Sequence, residues 1–275
     1  MLAIVSDGCQ IATRPVTLMV AAGYPVTYNG NGNSDGYVPT DTNYYAQGTT
    51  ITVAGNIGSL VNGTYYFAGW NTAMNGTGIS YPAGSTFVMG TFCNVTLYAK
   101  WVSSFALRDR GPAGGWIFYV DPSDAKLLPP ERTYLEAAPS DQSTWIAWSD
   151  ITASVPGGTG TPIGMGQTNT ANIMAQSTNS AAYLCHIQTI GDYNDWFMPS
   201  KDELNKMYVN LKSGTDEHNV VYSPIAGFDT IGRWSSSEAP DGPGVYTAWL
   251  QDFLTGGQSF NNRIGISGLR AVRTF

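Results

Sequence analysis

The sequence predicts a two-domain α+β protein, in which a small β-rich module precedes a larger domain with two helices and irregular loops. Composition is the first reason, because Gly (32), Tyr (16) and Trp (8) are abundant and only 12% of the 275 residues are charged. Such a composition suits short strands and turns. The second reason is the alternation of apolar and polar residues between Asn/Gly turns in the first hundred positions. The third is a helix-capping pattern at Ser200 and Glu203.

The alternating pattern occurs in the N-terminal part of the chain. Residues 1–25 have no clear affiliation, and within them 15–20 has the pattern of a strand or a packing arm. Residues 26–102 contain few charges and form the β-rich module. Its strands are predicted at 49–53, 65–70 and 95–101, each next to a turn of the Asn-Gly type.

The larger domain, residues 103–275, is predicted to begin with two strands. The apolar run 115–120 ends at Asp121 and Pro122, which indicates a buried strand, and 133–137 indicates another. The segment between the N-terminal module and the first of these strands has the composition of a linker.

Two helices are predicted to follow these strands. The first is expected after a cap at Asn169 or Thr170, over residues 171–176, and continues through 181–185. The second begins at the capping pattern of position 200, where a hydroxyl accepts from the backbone and a carboxylate reaches back to the cap. Its apolar side chains fall on one helical face: Leu204, Met207, Tyr208 and Leu211.

Charge and cysteine usage exclude several classes of protein. The formal net charge is −7 and only 13 Lys and Arg are spread over the chain, so we expect no nucleic-acid partner. Cys9, Cys93 and Cys185 lack CxxC spacing, which argues against a zinc or thioredoxin-type site. The N-terminus lacks the pattern of a secretory signal and no apolar run is long enough for a membrane span. We therefore expect export or display by other means, or a fragment.

Four separated blocks of the N-terminal module occur in the order found in a known repeat. They are Val26-Thr-Tyr-Asn-Gly-Asn-Gly32, Phe67-Ala-Gly-Trp-Asn-Thr72, Tyr81-Pro-Ala-Gly-Ser85 and Val95-Thr-Leu-Tyr-Ala-Lys-Trp101. Together they resemble the internalin B-type repeat, also called the Listeria–Bacteroides repeat. The resemblance covers about a quarter of the chain and implies a compact β-grasp-like fold that serves as a spacer.

Five further blocks span residues 111–275. They are Gly114-Gly-Trp-Ile-Phe-Tyr119, Asp195-Trp-Phe-Met-Pro-Ser-Lys-Asp-Glu-Leu204, Trp234-Ser-Ser-Ser-Glu238, Ala248-Trp249 and Arg270-Ala-Val-Arg273. These blocks resemble a bacterial and viral domain of unknown function that is related to the collagen-like adhesin C-terminal domain. The resemblance implies a C-type lectin-like fold in the formylglycine-generating-enzyme style. It also implies kinship with the variable proteins of diversity-generating retroelements.

Such retroelements randomise adenines, so an asparagine codon can change into many residue types but never into Trp, Gln, Glu, Lys or Met. Between positions 239 and 269 only Trp249, Gln251 and Gln258 lie outside the reachable set, and all three fit fixed positions of the family pattern. The segment 200–238 contains many residues outside that set. Low charge or an ordinary Gly- and Pro-containing loop produces part of the same depletion.

These comparisons divide the C-terminal residues into a frame and a variable face. The frame is expected to hold the shape: Trp234, Glu238, Trp249, Gln251, Gln258, Arg270 and Arg273. The variable, ligand-binding face is expected to comprise Arg233, Ala239, Pro240, Tyr246, Leu250, Asp252, Leu254, Ser259, Phe260, Asn262, Ile264 and Ile266. Loops can vary without unfolding a protein when a core elsewhere fixes them. Phe253 joins Trp234 and Trp249 as a candidate for that core, and Asn261 and Arg263 are candidate hydrogen-bonding groups.

No catalytic site is expected. His186 and His218 lie outside any metalloprotease or serine-hydrolase motif, and Cys185 lacks the partner that formylglycine-generating enzymes need. Asp192 and Asp195 are a minor candidate for calcium, with a structural turn as the alternative. We expect neither a cofactor nor a metal. The glycine-rich stretch 157–166 lacks the lysine of a phosphate-binding loop and is expected to be flexible or next to a ligand.

The sequence thus favours a non-enzymatic recognition protein that displays a variable surface on a C-type lectin-type scaffold. Its expected partner is a protein or glycan on a host or neighbouring cell, and its expected location is extracellular, on a cell surface or on a virion tail. The alternative is a carbohydrate-binding adhesin of fixed specificity, with or without calcium. An enzyme related to the formylglycine-generating group is a third, weaker hypothesis.

Overall fold

The computed structural model describes residues 2–6, 11–15, 23–63, 65–90, 94–121, 133–157, 159–228, 231–240 and 245–275. The N-terminal strands are β1 (Leu2–Ser6), β2 (Ile11–Pro15), β3 (Tyr24–Asn29), β4 (Tyr44–Tyr45), β5 (Thr50–Thr52), β6 (Tyr66–Asn71), β7 (Ser80–Tyr81), β8 (Thr86–Val88) and β9 (Val95–Val102). The C-terminal elements are β10 (Trp116–Val120), β11 (Tyr134–Ala137), β12 (Ser143–Ala147), α1 (Gly166–Met174), α2 (Ala181–His186), α3 (Lys201–Leu211), β13 (Gly232–Glu238), β14 (Thr247–Asp252), β15 (Gln258–Asn262), β16 (Ile266–Leu269) and β17 (Val272–Thr274).

The N-terminal module is built from strands around a buried tryptophan. Its larger sheet has the order β4-β3-β9-β6-β7, with β3 and β9 parallel, and β5 pairs with β8. Trp70 is fully buried, packs edge-on against Tyr28 and Phe67, and donates its indole N–H to the Ala54 carbonyl at 2.8 Å. The predicted strands at 49–53, 65–70 and 95–101 are confirmed as β5, β6 and β9. Among the described residues ahead of the module, β1 and β2 pair with each other. Residues 16–20 of the predicted strand 15–20 lie outside the described part.

The described residues of the C-terminal region form two sheets. One has the order β10-β11-β17, and its first two strands confirm those predicted at 115–120 and 133–137. The other, here called the terminal sheet, has the order β12-β16-β13-β14-β15. Trp234 and Ala248 of this sheet pack in one core with residues of α1 and α2, while Phe253, just after β14, packs against α3 in another. The sheet is therefore anchored by helices through two separate cores.

The expected fold class is wrong. The chain is rich in β-strands, and the described helices are three short ones of 9, 6 and 11 residues rather than two. Within the described residues of 23–102 only strands occur. The stretch 239–269, expected to be irregular loops, contains the whole of β14, β15 and β16. We therefore do not retain the α+β, β-grasp-like or C-type lectin-like assignments.

The extra helix arises where a single helix was predicted to resume. Ser180 has an extended backbone, and its hydroxyl accepts from the Tyr183 N–H, so it caps a new helix, α2. The first helix begins at Gly166, earlier than expected, because Asn169 and Thr170 do not cap it. Their side chains donate instead to the carbonyls of Gly160 and Gly166. The second predicted helix is confirmed as α3, with both capping-box hydrogen bonds present.

The two parts of the chain meet through aromatic side chains. Phe105 and Tyr134 are buried, with ring centroids 5.6 Å apart, and Tyr66 of the module lies 5.6 Å from each of these rings. Phe275 stacks on Tyr134 at 5.4 Å. Close by, Gly114 has a φ of +80°, and a Cβ there would clash with the Ala83 carbonyl oxygen. Only glycine allows this approach of the two backbones.

Candidate recognition surface

The frame residues of the terminal sheet are fixed by buried charge. Arg233 and Arg270 both pair with the carboxylate of Asp141, at 2.7 Å and 2.6 Å, and all three side chains are largely buried. Arg270 also donates to the carbonyls of Ala138 and Gly227. A guanidinium presents five donors in a rigid fork, so it can join several segments at once. This cluster ties β13 to the segments before β12 and after β16.

Arg273, on β17, is the centre of a second buried cluster of ion pairs. It makes a bidentate pair with Asp195 at 2.8 and 2.9 Å, and a further bond of 3.3 Å to Glu136. The Glu136 carboxylate also accepts from the backbone N–H groups of Gly115 and Ala113. Burial raises the pKa of Glu136 to about 7, although Arg273 and these N–H groups lower it in part.

The hairpin of β14 and β15 carries the clearest contrast between fixed and exposed residues. Gln251 and Gln258 are opposite each other, and their side-chain amides donate to the carbonyls of Gly256 and Lys201 at 2.6 and 3.1 Å. Trp249 is opposite Phe260, with rings edge-on at 5.6 Å. The face of Trp249 also contacts the Lys201 ammonium, 4.5 Å from the ring centre.

Phe260 itself is 52% exposed, and Leu254 at the tip of the same hairpin is 65% exposed. The tip is rigid in its own right, because the Asp252 carboxylate accepts from the N–H groups of Leu254 and Thr255. Gly256 lies directly against the ring of Tyr208 in α3. The hairpin therefore presents apolar side chains on a backbone that is held by α3.

The predicted residues separate into three groups by burial. Six residues of the predicted variable face are exposed: Pro240, Leu254, Ser259, Phe260, Ile264 and Ile266. Four are half-buried: Tyr246, Leu250, Asp252 and Asn262. Arg233 and Ala239 are buried. Of the frame, Trp234, Gln251, Arg270 and Arg273 are buried, and Glu238, Trp249 and Gln258 are half-buried. Arg233 and Ala239 thus belong structurally with the frame. The Gly- and Pro-rich positions 241–244 lie outside the described residues.

Sequence reasoning did not predict the exposure of Trp145, the ion pairs of Asp141 or the burial of Arg263. Trp145 on β12 is 72% exposed, and Ile266, 56% exposed, lies opposite Ala147 on the same strand. Asp141 carries the two buried guanidinium groups. Arg263, expected to offer hydrogen bonds to a ligand, is almost fully buried. No local pattern indicates the positions of Asp141 and Arg263, because each depends on a partner far along the chain.

The two candidate calcium ligands of the sequence, Asp192 and Asp195, each have a partner within the chain. Asp195 is engaged by Arg273, and Asp192 accepts from the backbone of Gly55 in the module. In the described part of the chain, no three His, Cys, Asp or Glu side chains form a group that could hold a metal ion. Cys185 is buried in α2, where burial raises the pKa of its thiol. Cys9 and Cys93 fall outside the described ranges.

No family model matches the chain. A putative membrane protein of Evansella cellulosilytica is 41% identical over 83 residues, which are 30% of this chain and 12% of that protein. A putative Gly-rich membrane protein of the same organism is 33% identical over 115 residues, 40% of this chain and 13% of that protein. The chain thus spans only a small part of the length of either curated relative.

These names contradict the expected extracellular, cell-surface or virion-tail location, which we do not retain. Among the described helices, none is both long enough and apolar enough to cross a bilayer.

Proposed function

We propose that this chain is a non-enzymatic recognition protein whose terminal sheet binds a protein or glycan of a host or neighbouring cell. The observation that carries the proposal is the β14–β15 hairpin. There, the side chains of Gln251 and Gln258 donate hydrogen bonds to backbone carbonyls, while the nearby side chains of Phe260 and Leu254 are exposed. Exposed aromatic and aliphatic groups on a rigid base lose little conformational entropy on binding, as in antibody paratopes.

In this proposal the exposed positions differ between related copies of the protein, as in the variable proteins of diversity-generating retroelements. One observation supports this division: the frame side chains that hold the backbone are buried or half-buried, so changing the exposed ones leaves the core intact. The DNA around the gene decides whether these positions are varied by such a retroelement. We expect a template repeat nearly identical to the codons of 239–269 and a reverse transcriptase gene nearby, and their absence from the locus would leave only a fixed-specificity binder.

Binding is tested with the full chain against a glycan array and a panel of purified surface proteins. The double substitution Leu254→Ser with Phe260→Ser is expected to weaken binding of any captured partner at least about tenfold, because central apolar anchors dominate interface energies. The matched control replaces two exposed apolar residues of the module, Tyr44→Ser with Val88→Ser, and is expected to bind normally. Loss of binding in the control and not in the hairpin variant would place the contact elsewhere.

A fixed-specificity carbohydrate binder is the second candidate. The pairing of Phe260 with Trp249, flanked by Lys201 and Gln258, supplies an aromatic ring beside polar groups. A binder confined to one glycan class on the array, with a DNA locus that lacks the repeat, favours this candidate.

A further inference from the structure

Arg263 lies in the crossover between β15 and β16 and is only 1% exposed. Its guanidinium donates to Glu238 Oε1 at 2.6 Å, to the Ala153 carbonyl at 2.8 Å and to the Thr247 carbonyl at 3.3 Å. Its backbone N–H donates to the Tyr246 carbonyl, and its own carbonyl accepts from the Trp148 N–H at 2.8 Å. One residue thus joins the end of β12, the loop at 153, the start of β14 and the crossover.

The carboxylate of Glu238 completes the junction from the end of β13. Besides Arg263 it accepts from the backbone N–H of Val155 and from the hydroxyl of Thr159, both at 2.9 Å. The Glu238 N–H in turn donates to the Thr159 hydroxyl at 2.7 Å. Loop residues 153–157 and Thr159 are therefore held by the same ion pair that holds the crossover.

This ion pair adjoins an exposed residue of the predicted face. Ile264 follows Arg263 and is 69% exposed, and its N–H donates to the Asn262 side chain within a tight turn. Within the loop, Ala153 and Ser154 are also exposed. Removing one partner of a buried ion pair leaves the other charge buried without compensation. The turn and the loop should therefore lose their positions together.

We infer that Arg263 and Glu238 are the positioning pair of the recognition surface, and that loop residues 153–157 are part of that surface. This inference rests on the proposed function and extends its site beyond residues 239–269. It also makes position 263 fixed, although arginine is one of the residue types that randomised adenines can produce.

The positioning role is tested by hydrogen exchange on the intact chain, which requires no partner. Arg263→Met keeps the bulk of the side chain and removes its charge, and is expected to speed exchange at Trp148 and Val155 at least about tenfold. Exchange in β10 and β11 is expected to stay unchanged. Arg263→Lys keeps the positive charge but lacks the planar guanidinium group. It is expected to restore part of the protection of the Val155 N–H against exchange.

The control is Arg108→Met, which breaks a partly exposed ion pair with Asp216 far from loop residues 153–157 in the sequence. It is expected to leave exchange at Trp148 and Val155 as in the parent chain. Unchanged exchange at Val155 in Arg263→Met, or an equal rise throughout both sheets, would overturn the positioning role, since the second result indicates a purely global effect.

The place of the loop in the surface is tested with the same array and protein panel. Ser154→Arg is expected to weaken binding of the captured partner at least about tenfold, and Thr86→Arg, at an exposed site of the module, to leave it unchanged. Normal binding by Ser154→Arg would remove the loop from the surface. If the panel captures no partner at all, the proposed function fails while the exchange result stands by itself.

Discussion

At the scale of single residues, buried ion pairs as well as apolar side chains hold the C-terminal region together. The sequence predicts Arg270 and Arg273 as frame residues, and both are buried and paired. It places Arg233 and Arg263 among the binding groups, because arginine is usually exposed and its partner is not visible in a local pattern. Their carboxylate partners, Asp141 and Glu238, are 92 and 25 positions away.

The buried carboxyl of Glu136 predicts a pH-dependent stability. Its folded pKa of about 7 lies above the ordinary value of 4.5, so the folded chain holds this proton more tightly than the unfolded chain. The stabilising contribution is complete below about pH 4.5 and is lost as the pH rises through 7, up to about 3 kcal/mol. Glu136→Gln cannot titrate, so the free energy of unfolding is expected to fall less between about pH 5 and pH 8 than in the parent chain.

Urea unfolding at several pH values measures this difference. Glu136→Gln is also expected to lower stability overall, because its amide places a donor near backbone N–H groups and Arg273. The slope with pH is therefore the relevant quantity. An identical slope in the two proteins would show that Glu136 is ionised in the folded state throughout this range.

At the scale of elements, the α3 capping box was predictable and the start of α1 was not. Ser200 and Glu203 lie three positions apart and satisfy each other, so the signal is local. The helix α1 begins without a side-chain cap. Its start depends on Glu203 Oε1, which accepts from the N–H groups of Gly164 and Gly166 at 2.7 and 3.4 Å. That contact spans almost forty residues and leaves no periodic pattern.

The capping box gives a prediction for helix stability. Ser200→Ala removes the hydroxyl that accepts from Glu203 N–H and donates to the Pro162 carbonyl at 2.8 Å. We expect the free energy of unfolding to fall by about 1–2 kcal/mol. Thermal and urea unfolding measure the change. Ser259→Ala, at an exposed position of β15, is the matched control and is expected to alter stability by less than about 0.5 kcal/mol; an equal effect of both substitutions contradicts the capping role.

The strand β14 illustrates why part of the stretch 239–269 lacks the alternation of a half-buried strand. On β14 the side chains of Thr247 and Ala248 are both buried, and so is Gln251. Alternation is lost because neighbouring residues are covered from both sides of the strand. A sequence pattern of period 2 requires one face to be solvated, and here that condition fails.

At the scale of the whole molecule, the aromatic joint connects the module to the C-terminal region. Phe105 and Tyr134 pack with Tyr66 of β6 and with Phe275, so a single cluster draws on both parts. The resemblance to a spacer repeat gave no indication of this joint, since it concerns residues 26–101 alone. We expect the two parts to unfold together.

Phe105→Ala is expected to separate them. Truncation of a buried phenylalanine costs about 3–5 kcal/mol, and here the loss falls on the contact between the parts. Differential scanning calorimetry should show one transition in the parent chain and two in the variant. Phe228→Ala, buried in the C-terminal core, is the control and should lower the melting temperature while retaining one transition. A single transition in Phe105→Ala would mean that other contacts couple the parts.

Local sequence patterns are sufficient for several strands and for the capping box of α3. Each rests on residues within a few positions of one another, where periodicity and capping chemistry act. The number of helices, the strands of 239–269 and the burial of particular arginines emerge only in the folded chain. Those features depend on contacts such as Arg263 with Ala153 and Glu136 with Arg273, which join residues 110 and 137 positions apart. Burial of a charge is favourable only when its partner is in place, and the partner's position is a property of the folded chain.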